Sequence, residues 1–294
     1  MGTTLTQRGL PVGQPPELYT LEQPHVVAKI HREFLAAGAQ VLQANTFNAN
    51  RCRLKGTVLA DQIVECNRRA VAIARAEAGE NGLVLGSLGP SGMLLAPAGD
   101  GTEQQVAAAY EEQASILEEA GADAFLIETM HDLREALAAL GACRRMSPRP
   151  VIVTMTFTHT PRGYLTLAGD GAGDALAELA SAGASAVGAN CNLTSAEMVP
   201  LAAGIRRHVT VPVLMQPSVA AGRTVHSMPG GGESPADFAR NTARMVEDGV
   251  EMVGGCCGTT PEFIAQMRQE LKAVRPHRSA PGGQTDTAQA NSMS

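Results

Sequence analysis

The sequence predicts a single α/β domain of the TIM (β/α)8 type. Apolar runs that suit buried parallel strands alternate with helical patterns, and this alternation is typical of a parallel sheet covered by helices. A length of 294 residues also suits one such barrel. A weak internal repeat supports the same fold, because a glycine ends a helix just before every second strand, at Ala37–Ala39, Ala120–Ala122, Ala182–Ala184 and Asp248–Val250. No Gly-x-Gly-x-x-Gly motif follows a first strand, so a doubly wound sheet is the weaker interpretation.

Taken in order, the pattern gives seven strands and eight helices. The strands are expected at residues 40–47, 83–90, 124–129, 150–157, 186–192, 211–216 and 252–257. The helices are expected at residues 24–37, 57–79, 103–120, 131–146, 172–182, 195–208, 235–248 and 261–274. Hydroxyl side chains at Thr194 or Ser195, Ser234 and Thr260 stand where they can cap three of these helices, with proline tolerated in the first turn.

The connections that follow the strands are the long ones. Thr158 to Gly171 and Pro217 to Glu233 are rich in Gly, Pro and Ser, whereas the turns from helix to strand are short. Enzymes with this fold build their sites from the loops at the carboxyl ends of the strands. We therefore expect the functional site at that face.

Three cysteines fall at this face. Cys256 and Cys257 are adjacent, with glycines on both sides, where the last strand ends, and Cys191 ends an earlier strand in the same way. Cysteine is often only a small buried apolar residue, and a vicinal pair can form a strained disulfide or a redox switch. Three thiolates with one open position describe a catalytic zinc site instead. The other cysteines, Cys52, Cys66 and Cys143, are expected to be packing residues.

Composition narrows the range of functions. Hydrophobic residues make up 44% and charged residues 18%, which are globular values. A net charge of -6 gives no basic surface for nucleic acid or an anionic membrane, so chemistry on small molecules is favoured. No stretch approaches 18 consecutive apolar residues, and six irregularly spaced cysteines do not make a disulfide framework. We expect a cytoplasmic protein.

Other catalytic signatures do not compete. The seven histidines show no metal-ligand spacing and are expected on the surface or in packing, although His159 and His226 lie in the long loops where they can line the site. Neither a Gly-x-Ser-x-Gly elbow nor a phosphate-binding glycine loop of the Walker type occurs, which argues against a hydrolase or a nucleoside triphosphatase.

The sequence resembles the homocysteine S-methyltransferase family, a zinc-dependent homocysteine-binding barrel that occurs alone or as the first module of cobalamin-dependent methionine synthase. The matching stretches are Gly254 to Pro261, Gly188 to Cys191, Asn45 to Phe47, Gly86 to Pro90, Ile127 to Thr129 and Met1 to Thr3. The resemblance implies Zn²⁺ held by Cys191, Cys256 and Cys257, with the thiol of L-homocysteine as the acceptor of a methyl group and methionine as the product.

The same resemblance implies the rest of the substrate pocket. Glu128 matches the family's glutamate and would pair with the substrate ammonium, although a carboxylate at a strand end can also face solvent or cap the next helix. The remaining substrate-binding residues implied are Asn45, Thr46, Asn190, Gly2 and Thr3. No catalytic residue is expected beyond the zinc-bound thiolate of the substrate.

The sequence departs from the family at its start. The family places an Asp-Gly-Ala and a first strand before the Met-Gly-Thr that begins this chain, in agreement with our count of seven strands. We expect either that the start of the sequence was set too far downstream or that the barrel is left open between the strands at 40–47 and 252–257. An open barrel would loosen the cysteine loop and remove the family's acidic residue. Residues 1–275 would form the barrel domain and residues 276–294 a disordered tail.

The methyl donor is constrained by composition. With no Trp, three Tyr and six Phe, the chain is poor in the aromatic residues that bind quaternary ammonium groups, so betaine is disfavoured. S-methylmethionine or a separate corrinoid protein suits the chain better, and an oligomer is possible. Two other functions stay open: a metal-binding barrel without catalysis, and a redox or regulatory protein that uses the vicinal cysteines.

Overall fold

The main sheet has seven parallel strands. The computed structural model describes residues 1–220 and 232–274. The strands of the sheet are β1 (Val41–Gln43), β2 (Leu83–Leu88), β3 (Ala124–Met130), β4 (Val151–Met155), β7 (Ala186–Asn190), β8 (Val213–Gln216) and β9 (Met252–Val253), while β5 (Thr158–Thr160) and β6 (Gly163–Leu165) form a separate antiparallel hairpin. The order β1-β2-β3-β4-β7-β8-β9 follows the chain, and the sheet curls into a half-barrel. The predicted fold class is confirmed in this open form.

Eleven helices lie in the described residues. They are α1 (Gly2–Gln7), α2 (Leu18–Glu22), α3 (Pro24–Ala36), α4 (Arg51–Leu54), α5 (Ile63–Ala78), α6 (Glu103–Glu119), α7 (Leu133–Met146), α8 (Ala172–Ser181), α9 (Ser195–Arg206), α10 (Pro235–Glu247) and α11 (Pro261–Glu270). All eight predicted helices are present, and α1, α2, α4 and the hairpin were not predicted. The helix expected from residue 57 begins only at Ile63, because residues 57–62 are bound into turns.

The predicted caps are mostly confirmed. Thr194 forms a capping box with Glu197, and the Ser234 side chain accepts a hydrogen bond from the backbone N–H of Asp237. The prediction was wrong at Thr260, whose side chain makes no capping hydrogen bond.

The internal repeat is a real structural feature. The four glycines that end helices before alternate strands, at positions 38, 121, 183 and 249, all have positive φ angles, between 86° and 102°. The residue just before three of these strands then accepts a hydrogen bond from a backbone N–H of the preceding strand: Asp123 from Val84 (2.7 Å), Ser185 from Val151 (3.2 Å) and Glu251 from Val213 (2.9 Å). Three of the four repeats are thus fixed at the amino ends of their strands.

The two faces of the sheet bury different layers. Outward residues such as Phe125 and Val153 pack with the helices in the largest apolar cluster. The alternate residues face the concave side, where Leu126, Ile152 and Leu214 belong to a smaller cluster that contains only strand residues. Polar residues follow on the same concave face towards the carboxyl ends of the strands, so the candidate site lies directly above this apolar layer.

The gap in the barrel lies between β1 and β9. Within the described residues, each of these strands has a single neighbour in the sheet, as the strand count predicted. The helical layer nevertheless continues across the gap, because Phe34 of α3 packs against the cluster that contains Phe263 and Ile264 of α11. The described helices include none that is both long enough and apolar enough to cross a bilayer. The expected tail at 276–294, His226 and His277 lie outside the described residues.

Candidate metal centre

Cys191 reaches the concave face because the chain turns sharply after β7. By strand alternation the residue after Asn190 should point outward, but Cys191 and Asn192 have left-handed φ angles of 64° and 59°. The backbone N–H of Cys191 donates to the carbonyl oxygen of Gln216 (3.1 Å), which fixes the turn against β8. Two consecutive left-handed residues without glycine are uncommon, and they swing the thiol towards the mouth of the sheet.

Cys256 and Cys257 lie on a loop that begins where β9 ends. The N–H of Cys256 donates to the carbonyl oxygen of Pro217 (2.8 Å), and the Thr259 hydroxyl donates back to the carbonyl oxygen of Cys256 (2.8 Å). Among the flanking glycines only Gly258 needs a positive φ angle, of 83°. Gly255 is required for space instead, since a Cβ there would lie 2.4 Å from the methyl group of Thr259. The flanking glycines therefore serve two purposes, backbone conformation at Gly258 and space at Gly255.

The three sulfurs form one cluster. The Sγ atoms of Cys191, Cys256 and Cys257 all lie within 4.8 Å of one another, and those of Cys191 and Cys257 are 3.7 Å apart. Thiolates bound to a tetrahedral zinc at about 2.3 Å are about 3.8 Å from each other. No other group of three metal-ligating side chains occurs in residues 1–220 and 232–274. All three thiols are free and half-buried, so the donor set fits zinc and stays accessible.

The ionisation of each thiol in the cluster depends on the other two. Hydrogen bonds from Cys256 and Cys257 lower the pKa of Cys191. The same contact with Cys191 raises the pKa values of Cys256 and Cys257. One sulfur therefore ionises easily while the other two retain protons, because three adjacent thiolates repel each other. A divalent cation would remove this repulsion and displace the remaining protons.

Asn190 is fully engaged with protein groups. Its Oδ1 accepts from the backbone N–H of Thr129 (2.8 Å) and from the Thr154 hydroxyl (2.8 Å), and its Nδ2 donates to Oγ1 of Thr129 (2.7 Å) and to Sγ of Cys256 (3.8 Å). An amide has two donor and two acceptor positions, and all four are used. This side chain joins β3, β4 and the cysteine loop, and its contact with substrate stays a prediction.

Glu128 lies on the concave face next to this network. Its carboxylate is 9% exposed and accepts a hydrogen bond from the Ser87 hydroxyl. Burial raises the pKa of Glu128, and the Ser87 hydroxyl and the positive charge of the amino terminus offset part of that increase. The next residue, Thr129, has a φ angle of 63° within an irregular stretch of β3. The alternative of a solvated or helix-capping carboxylate does not match this buried position.

The remaining predicted substrate residues differ in what they offer. Nδ2 of Asn45 donates to the carbonyl oxygen of Pro16 (2.9 Å) and to the Thr20 hydroxyl (3.0 Å), and the Thr46 hydroxyl donates to the carbonyl oxygen of Ser87 (2.7 Å). Their donors therefore hold the chain after β1 in place. At the amino terminus, Oγ1 of Thr3 accepts from the N–H of Gly258 (3.4 Å), so α1, which begins at Gly2, lies against the cysteine loop.

Sequence reasoning missed three residues at the site. Gln216 is the last residue of β8 and Ser218 lies just after it, and each has a buried side-chain oxygen without a hydrogen-bond partner in the described part of the chain. Thr129 is the third. The polar residues on either side of Pro217 were the only available signal for the first two, and a β-branched residue gives none for a left-handed turn.

The hairpin of β5 and β6 forms part of the rim. Nδ2 of Asn192 donates to the carbonyl oxygen of Phe157 (2.9 Å) and to the Thr158 hydroxyl (3.1 Å), which ties the hairpin to the Cys191 turn. The exposed ring of His159 lies 4.8 Å from that of Tyr164. His159 thus lies on the rim beside the Cys191 turn, and its role in lining the site stays a prediction.

Comparisons with known proteins agree with this geometry. Residues 1–271 match the family model described as homocysteine S-methyltransferase. The chain is 34% identical over 277 residues to methionine synthase from Mycobacterium tuberculosis, which covers 89% of this chain and 23% of the relative. It is 36% identical over 265 residues to methionine synthase from Mycobacterium leprae, covering 85% and 22%. The chain spans about a quarter of the length of these relatives.

Solved structures show the same fold. The homocysteine methyltransferase MmuM from Escherichia coli superposes in its metallated form with a TM-score of 0.74 at 22% identity, covering 92% of this chain and 93% of that one. Its oxidized form gives a TM-score of 0.73 at 23% identity. Because the family model matches nearly all of the described residues, this chain belongs to the homocysteine S-methyltransferase family.

Proposed function

We propose that the protein transfers a methyl group to the thiol of L-homocysteine at a zinc ion held by Cys191, Cys256 and Cys257. The observation that carries the proposal is the cluster of three sulfurs within 4.8 Å at the carboxyl end of a half-barrel sheet. Zinc would supply Lewis acidity that keeps the substrate sulfur ionised near neutral pH, with the fourth ligand position left for that sulfur.

The residues of the chain would bind and orient the rest of the substrate. Glu128 faces the same concave space as the cysteines and would pair with the substrate ammonium, which also offsets the cost of burying its carboxylate. Thr3 holds α1 against the cysteine loop and would close one side of the pocket, and Gly2 would contribute its backbone at the start of α1. Asn45 and Thr46 would contribute through the backbone that their side chains fix.

The transfer itself needs only alignment of two atoms. The substrate sulfur forms a bond to the methyl carbon as the bond from that carbon to the donor breaks, and the electron pair of the broken bond leaves with the donor. With S-methylmethionine as donor the leaving group is methionine, so each turnover gives two molecules of methionine from one homocysteine. Holding the two atoms in line can supply part of the roughly 7 to 11 kcal/mol available from orientation.

The donor is proposed as S-methylmethionine or a separate corrinoid protein. The scarcity of aromatic residues disfavours betaine, as argued from the sequence. Similarity to methionine synthases about four times as long is consistent with a donor carried by other protein modules. A cytoplasmic location, the barrel domain at 1–275 and an oligomer remain predictions.

Metal analysis and a methyl-transfer assay test the proposal together. Purified protein is expected to retain about one zinc per chain and to form methionine from homocysteine with S-methylmethionine. The Cys256→Ser variant should lose both properties, whereas Cys52→Ser, which changes a half-buried cysteine outside the cluster, should keep both. Zinc and activity in the Cys256→Ser variant would refute the assignment.

The alternatives give different results in the same assays. A metal-binding barrel without catalysis would retain zinc and form no methionine with any donor. A redox function is favoured by the 3.7 Å separation of the Cys191 and Cys257 sulfurs. Such a protein would lack zinc and, on treatment with hydrogen peroxide, would form one disulfide as two thiol protons and two electrons reduce the peroxide to two waters.

A further inference from the structure

The side chain of Asn190 connects the two ends of the candidate site. Its Nδ2 donates to Sγ of Cys256 (3.8 Å) and to Oγ1 of Thr129 (2.7 Å), and its Oδ1 accepts from the backbone N–H of Thr129 (2.8 Å). Thr129 follows Glu128 in the chain, and Cys191 follows Asn190. One amide, on a fully buried residue, therefore lies between the cysteine cluster and the turn that carries Glu128.

The same amide holds a bulge in β3. Three steps along β3, from Ile127 to Met130, match two steps along β4, so β3 contains one extra residue there. Bulges next to active sites commonly re-aim a side chain. Thr129 lies in this bulge with a φ angle of 63°, which a β-branched residue keeps only when its surroundings hold it. Because Asn190 binds both the N–H and the hydroxyl oxygen of Thr129, the direction of the neighbouring Glu128 side chain depends on this amide.

The amide is itself fixed by β4. The hydroxyl of Thr154, a fully buried residue, donates to Oδ1 of Asn190 at 2.8 Å. With both donor and both acceptor positions of the amide in use, rotation of the side chain would break several hydrogen bonds at once. The separation between the cysteine cluster and Glu128 is therefore set by a chain of buried hydrogen bonds.

This separation bears on which thiol the site accepts. In the proposed function the substrate sulfur binds at the cluster while the substrate ammonium pairs with Glu128. L-cysteine has one methylene fewer than L-homocysteine between these two groups, so a fixed separation lets only the longer amino acid make both contacts. A site that can shift would let the shorter one make them as well. A single methylene commonly changes binding by about 10- to 200-fold.

We propose that Asn190 is a positioning residue that fixes the separation between Glu128 and the cysteine cluster, and thereby selects L-homocysteine over L-cysteine. The inference rests on the proposed function, because it takes the sulfur and ammonium sites from there. Asn190 needs no contact with the substrate for this role. Its effect reaches the substrate through Thr129 at one end and Cys256 at the other.

The test compares the affinities of the two amino acids by calorimetry. Zinc-loaded wild type, Asn190→Ala, Thr129→Val and Thr129→Ser are titrated with L-homocysteine and with L-cysteine under reducing conditions, and zinc content is measured in the same samples. The wild type should bind L-homocysteine at least about tenfold more tightly. Thr129→Val keeps the shape and the N–H but loses the oxygen that accepts from Asn190, so this ratio should fall about fivefold. Asn190→Ala should lower the ratio at least as much, and Thr129→Ser, which keeps the hydroxyl, should retain it.

A buried threonine far from the cluster provides the matched control. The Thr242 hydroxyl donates to the carbonyl oxygens of Phe238 (3.0 Å) and Ala239 (2.9 Å) within α10, so Thr242→Val should keep the wild-type ratio. A wild-type ratio in Thr129→Val would overturn the inference, even if both amino acids bound more weakly, because that result indicates only general loosening. A wild type that retains zinc but binds neither amino acid would refute the proposed function and the inference with it.

Discussion

Asn190→Ala should destabilise the protein more than its small size suggests. The substitution removes the acceptor for two donors, the buried hydroxyl of Thr154 and the half-buried N–H of Thr129, and the donor that serves Oγ1 of Thr129. At about 1 to 3 kcal/mol for each donor left without a partner, the expected loss is about 2 to 6 kcal/mol. The left-handed turn at Thr129 also loses the two bonds that hold it, so its strain adds to the loss.

Urea unfolding measures this loss without interference from metal. Under reducing conditions with EDTA, the midpoint of Asn190→Ala should fall while the dependence on urea concentration stays constant. Asn241→Ala is the matched control, because its Nδ2 donates to Ser195 (3.0 Å) and Glu233 (2.9 Å) away from the sulfurs. The control should lose about 1 kcal/mol. A loss at position 190 no larger than at position 241 would show that the network does not support β3 as we argue.

Two further substitutions and one titration test the site from other directions. Glu128→Gln should stabilise the metal-free protein at neutral pH, because the raised pKa of Glu128 makes its ionised form unfavourable in the folded protein. The wild type should therefore lose stability as the pH rises from the ordinary pKa of 4.5 through the pKa in the folded protein. Unfolding at pH 4 and pH 7 checks the sign, and equal stability of the variant and the wild type at pH 7 would contradict it. The homocysteine affinity of the wild type should fall more steeply than that of Glu128→Gln as pH drops through the raised pKa of Glu128, because binding of the thiol to zinc releases a proton in both proteins and only the wild type also protonates this carboxylate. The variant should bind more weakly at pH 7, and equal slopes would contradict the pairing with the ammonium. Gly255→Ala should reduce zinc affinity at least about tenfold, because the added Cβ would lie 2.4 Å from Thr259 and displace the Cys256 loop. The control Gly171→Ala, whose Cβ meets nothing nearer than 3.9 Å, should bind zinc like the wild type. Equal zinc affinities of the two variants would exclude the steric argument.

The fold could be predicted from the sequence because its repeat depends on local sequence patterns. Helix periodicity, the glycines that end four helices and the apolar runs predicted every strand of the sheet and eight helices. Every strand of the sheet except β3 is shorter than predicted: β9, for example, ends at Val253, although the apolar pattern continues to Cys257. A pattern of burial does not show where ladder hydrogen bonds stop, and at β9 the chain leaves the sheet to bond with the loop after β8. The helix α1 could not be found in the same way, since a six-residue segment carries too little periodicity.

The cysteines were predictable and their supports were not. Three cysteines at strand ends indicate a metal site from the sequence alone. The partners of Asn190 come from β3, β4 and the cysteine loop, so its four bonds exist only once the sheet has curled. The same holds for Asn45, whose donors turn to Pro16 and Thr20. A polar residue at a strand end reads the same in sequence whether it faces a substrate or another strand.

The open sheet raises the question of how an edge strand can hold two of three metal ligands. β9 has only two residues and pairs only with β8 in the described structure, so the ladder contributes little to the position of Cys256 and Cys257. Their loop is instead bonded to Pro217 and Val219 of the loop after β8, while the start of α11 packs on α10 through the perpendicular rings of Phe238 and Phe263. Cys191 is held by Gln216 of the same β8. Both cysteine loops are thus bonded to β8 or to the loop that follows it, and β8 is an internal strand. The distance between their sulfurs is therefore set by contacts that do not involve the gap. From the sequence we expected the open barrel to loosen the cluster. With these bonds in place, we expect the cluster to keep its geometry.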